Sequence, residues 1–61
     1  MIEFVHIATG TVVGTLTQDL IPSNAAVSSV VDAKRHMGWT DEQILQRLPG
    51  WSNGYYLARS A

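Results

Sequence analysis

The chain has no cysteine among its 61 residues. Disulfide staples and thiolate metal sites are therefore excluded. Its two histidines, His6 and His36, are too few and too far apart to suggest a structural zinc site. No metal and no cofactor is expected. No run approaches the ~20 apolar residues of a membrane span, and Met1-Ile2-Glu3 lacks the basic start and apolar stretch of a signal peptide. The expectation is a cytoplasmic protein from a short complete reading frame. Charge is scarce: 15% of residues, with a net charge of −1. That balance argues against strong, non-specific binding to nucleic acid. Catalytic patterns are missing as well. Ser23, Ser28, Ser29, Ser52 and Ser60 have no convincing His–acid partners. There is no phosphate-cradling glycine motif. So short a chain also has little room for a pocket of ~300 Å³ or more, and an enzyme is not expected.

The few charges that exist are unevenly placed. Residues 1–33 carry Glu3, Asp19 and Asp32 and no Lys or Arg; residues 34–61 carry Lys34, Arg35, Arg47 and Arg59 against Asp41 and Glu42. An anion would meet the C-terminal half.

Two runs near the N-terminus are rich in β-formers, Ile2–Ala8 and Thr11–Thr17, with Thr9-Gly10 between them. They predict a β-hairpin over 2–17. Gly14 inside the second strand marks a bulge or a close backbone approach. Ile2 and Phe4 fall on one face, Val5 and Ile7 on the other. A lone surface hairpin keeps one face polar. This one calls for cover from helices on one side and from a second chain on the other. A chain of this length buries only about 60% of its unfolded surface, so a homodimer through the hairpin is expected.

A loop over 18–24 contains Pro22, and Ser23 or Asn24 can cap a helix starting there. The spacing of Val27, Val30, Val31, Lys34 and Met37 predicts that helix over about 24–37. Lys34 is the one polar member of that stripe, and its stem can cover apolar surface. Lys34, Arg35 and His36 suit the negative end of the dipole, and Gly38 stops the helix. A second helix over 41–48 is bounded on both sides. Thr40 and Gln43 form a capping box, Trp39 is at the staple position to Ile44, and Pro49-Gly50 ends it. Trp51 and Ser52 repeat this start grammar, with Tyr56 at the staple position. They predict a third helix over about 53–60, which Gly54 weakens.

The expected fold is therefore α+β: an N-terminal hairpin, then three short helices, the last two spaced as a helix-turn-helix. A second helix of that kind can enter a DNA major groove. On it, Ser52, Asn53, Tyr55 and Arg59 are the polar positions. Asn can read adenine and Arg can read guanine or neutralise phosphate; capping by Ser52 and Asn53, and a solvated role for Arg59, are the bland alternatives. Lys34, Arg35 and Arg47 can contact phosphates, or simply pair with the helix dipoles. Trp39 and Trp51 can stack bases, but each precedes a cap, which favours staple and core roles.

Residues 37–61 resemble the C-terminal half of small prokaryotic antitoxin-like domains with a homeodomain-like helix-turn-helix. The resemblance is carried by Gly38-Trp39-Thr40-Asp41-Glu42-Gln43-Ile44-Leu45, then Leu48-Pro49-Gly50, then Leu57-Ala58 and Ala61. That family also begins with a hairpin and a Gly-Thr-Arg-Ile-Pro segment. Here Gly14-Thr15 and Ile21-Pro22 are separated by extra residues and the Arg is missing. The resemblance implies a small dimeric regulator or antitoxin; with the helix-turn-helix reading, the expected partner is duplex DNA. The competing expectation is a protein-interaction module or inhibitor that binds a partner protein without nucleic acid.

Overall fold

A computed structural model describes all 61 residues. The order of elements is β1 (Ile2–His6), β2 (Thr11–Leu16), α1 (Ala25–His36), α2 (Asp41–Arg47) and β3 (Tyr56–Ser60). The strands form one antiparallel sheet in the order β2-β1-β3. Both helices cover one face of it.

The hairpin forms as its sequence predicts. Gly10 takes φ +71° in the turn, and its N–H bonds to the His6 carbonyl at 2.8 Å. Phe4 lies opposite Gly14, yet Val5 lies opposite Val12, so Val13 is a bulged extra residue. Gly14 is also a close approach. A Cβ there would stand 2.5 Å from Cγ2 of Val27 on α1. Bulge and glycine together let α1 pack directly on β2.

α1 starts at Asn24, whose side chain accepts from the Val27 N–H. It ends in a Schellman arrangement: Gly38, at φ +89°, donates to the Arg35 carbonyl, and Trp39 donates to that of Lys34. Val27 and Val31 are buried and Val30 is half-buried, but Met37 caps the helix and points out, 65% exposed. It does not belong to the buried stripe. In α2 both halves of the Thr40–Gln43 capping box are made. Ile44 and Leu48 are fully buried there. Together with Ile2, Phe4, Leu16, Val27, Val31 and Ala58 they are the core, with Trp39, Leu45 and Trp51 packed around it.

The expected third helix over 53–60 is absent, and the helix-turn-helix pair with it. Gly54 takes φ +90°, a left-handed conformation that does not belong in a helix. The Asn53 side chain accepts the N–H groups of both Tyr55 and Tyr56, at 3.0 and 2.8 Å. The chain turns there and runs back along β1 as a strand, with Ala58 opposite Phe4 and Tyr56 opposite His6. The physical reason is the edge of β1. Unpaired, it leaves a row of N–H and C=O groups without partners. An eight-residue helix is marginal on its own, and pairing with β1 also buries Ala58.

Candidate docking groove

Both outer edges of the sheet are closed by the chain itself. Along β2, the Thr15 N–H donates to the Ser23 hydroxyl at 2.8 Å, its carbonyl accepts from Ser23 N–H at 2.9 Å, and the Val13 carbonyl accepts from the Asn24 amide at 2.8 Å. Along β3, the extended segment 50–53 does the same. Ala58 donates to Trp51 and accepts from Gly50, and Tyr56 accepts from Asn53. Beyond the chain's last residues, side-chain surfaces are what remains for recognition.

The most enclosed of these is an apolar groove of ≈280 Å³. Phe4 and Val27 form its buried floor. Val13, Ala26 and Val30 line one side, Trp51 and Tyr56 another. The bulge puts Val13 there, 41% exposed. Trp51 is held by its ring against Phe4, with centroids 5.9 Å apart and planes tilted by 59°. Tyr56 is backed by the His6 ring at 5.2 Å. Asn24 and Asn53 are the polar groups at the mouth. Both are already engaged in capping and turn formation, so they fix the walls in place.

The candidate DNA-contacting residues do not converge. Ser52 is exposed and its hydroxyl accepts from Gly54 N–H at 3.2 Å. Asn53 holds the turn and borders the groove. Tyr55 is 72% exposed, just before β3. Arg59 lies across the sheet, where its Nε donates to Glu3 at 3.1 Å. Arg35 is 3.5 Å from Asp41. Lys34 and Arg47 do come together: both stand over the Trp39 ring, at 4.8 and 5.7 Å from its centroid. Over the two helices and their connection, Lys34, Arg35 and Arg47 are balanced by Asp32, Asp41 and Glu42. The groove itself was missed in the sequence, because its walls come from four separate segments. The bulge glycine Gly14 was the one local signal pointing to it.

No family model, no curated protein and no solved structure is significantly similar to the chain. No helix is long and apolar enough to cross a membrane.

Proposed function

We propose that the protein is a protein-interaction module that receives an apolar side chain of a partner protein in the groove between α1, the β2 bulge and the 51–56 corner. The observation that carries this reading is the aromatic-lined groove, left open while both sheet edges are closed. Closed edges argue against strand addition, and a pocketed apolar or aromatic anchor is the usual alternative for a small interface. At ≈280 Å³ the groove has room for one large side chain.

Duplex DNA is the second reading. The gathering of Lys34 and Arg47 over Trp39 favours it, as a phosphate-contacting corner. Recognition by a helix over 53–60 is no part of that reading. The balanced charge of the helical layer weighs against it, since DNA binders carry a basic face.

Selection from a displayed random-peptide library, followed by amide chemical-shift mapping with the selected peptide, tests the proposal. Binders with an aromatic or large aliphatic anchor are expected. Their shifts should centre on Val13, Val30, Trp51 and Tyr56, and Val30→Arg should abolish binding. Shifts centred away from the groove would contradict the reading. So would salt-sensitive binding to duplex DNA at ~50 mM salt that needs Lys34 and Arg47 and ignores Val30→Arg.

A further inference from the structure

The sheet has a second face, turned away from the helices, and no helix packs on it. Strand alternation places Glu3 and Val5 of β1 there. Their cross-strand partners stand beside them: Val12 and Leu57 flank Val5, and Thr15 and Arg59 flank Glu3. Ile7 and Tyr55 extend the β1–β3 ladder by one more hydrogen bond, at 2.9 Å. The face is thus divided. Its hairpin end is apolar, with Val12, Ile7 and Tyr55 exposed by 41, 44 and 72%. Its other end carries the Glu3–Arg59 ion pair. At the centre Val5 is only 4% exposed and lies outside the helix-side core.

We propose that this face is the interface of a homodimer, its occupant a second copy of this chain. Two observations commit it to that occupant. The first is area. A stable interface buries about 800 Å² on each side, roughly a fifth of this molecule's 3855 Å². In a body of 31 × 20 × 20 Å that is one whole broad side, and the helices already occupy the opposite one. The second is self-complementarity. A two-fold axis in the interface, running across the strands, stacks β1 on its copy in the opposite direction. Val5, already nearly buried within its own subunit, then lies at the axis, and the Arg59 end of one subunit covers the Tyr55 end of the other. A guanidinium over a tyrosine ring is a favourable contact. The same operation separates the two Glu3 carboxylates to opposite ends. An axis along the strands would instead stack Glu3 on Glu3.

Sedimentation velocity over a wide dilution range, with circular dichroism to confirm folding, tests this. The wild-type chain is expected to shift from monomer to dimer as concentration rises. Val12→Lys and Tyr55→Ala, both at exposed positions, should each raise the dissociation constant about tenfold or more. Val30→Arg, on the helix side, should leave it unchanged, so that failure of the groove reading and failure of the dimer are told apart. A monomer at every concentration up to about 1 mM, the weak end of specific association, would overturn the proposal. So would a dimer that ignores Val12→Lys and Tyr55→Ala.

Discussion

Gly14 is where the sheet and α1 come closest, and it shows how little room this core has. Gly14→Ala places a methyl group 2.5 Å from Val27 Cγ2 and 3.0 Å from the Asn24 amide nitrogen. Its backbone is not left-handed, so the cost comes from space alone. A loss of about 1–3 kcal/mol is expected in urea unfolding, in line with overpacking elsewhere. Thr40→Ala is a local change at the other extreme. It removes a cap and half of a capping box, and a loss of about 1 kcal/mol should appear in the same assay. Both residues were legible in the sequence, for one reason. A cap is defined by neighbours three positions away, and a glycine inside a β-former run is anomalous where it stands. A cap at Ser23 or Asn24 was also visible, whereas the second bond of Asn24, to the Val13 carbonyl across the fold, was not.

At the scale of elements, the hairpin and the two helices arise from local pattern, and β3 does not. Trp51-Ser52 repeats the grammar of Trp39-Thr40, but a repeat of start signals says nothing of the partners that the next residues find. Arg59 meets Glu3, 56 positions away in the chain, and no window of sequence contains both. Two local signals did favour the strand: the Ser52-Asn53-Gly54 turn, and the pair of β-formers Tyr55-Tyr56. The sign of one substitution separates the two structures. In a helix, Gly54→Ala would stabilise by about 1 kcal/mol. At φ +90°, alanine is strained, and a loss of about 1–2 kcal/mol is expected. Thermal or denaturant unfolding of Gly54→Ala reads that sign directly.

For the whole molecule, the loss of a third helix changes what can be recognised. A recognition helix would have gathered Asn53, Tyr55 and Arg59 on one surface. As β3 and the turn before it, they separate to a groove mouth, an exposed ring and a sheet-face ion pair. The net charge and its uneven division along the chain were readable from the start. Their mutual cancellation in space was not, because it depends on Arg35 meeting Asp41 and Arg59 meeting Glu3. Such exposed pairs contribute about 0–1 kcal/mol each to stability; their weight here is in what they leave for a ligand. The need for helical cover on one side of the hairpin was legible, and the helices supply it; cover of the other side is the dimer proposed above. All of this depends on residues 56–60 being paired with β1. In antiparallel sheets the pairs that exchange no hydrogen bonds bring their Cα atoms to about 4.5 Å. Ala58 directs both its backbone groups outward, to Trp51 and Gly50, so Phe4–Ala58 is such a pair. A nuclear Overhauser spectrum of the labelled protein should contain an Hα–Hα cross-peak between Phe4 and Ala58, and another between His6 and Tyr56. Their absence, with helical contacts between residues three apart over 53–60 in their place, would contradict the fold and restore the recognition helix.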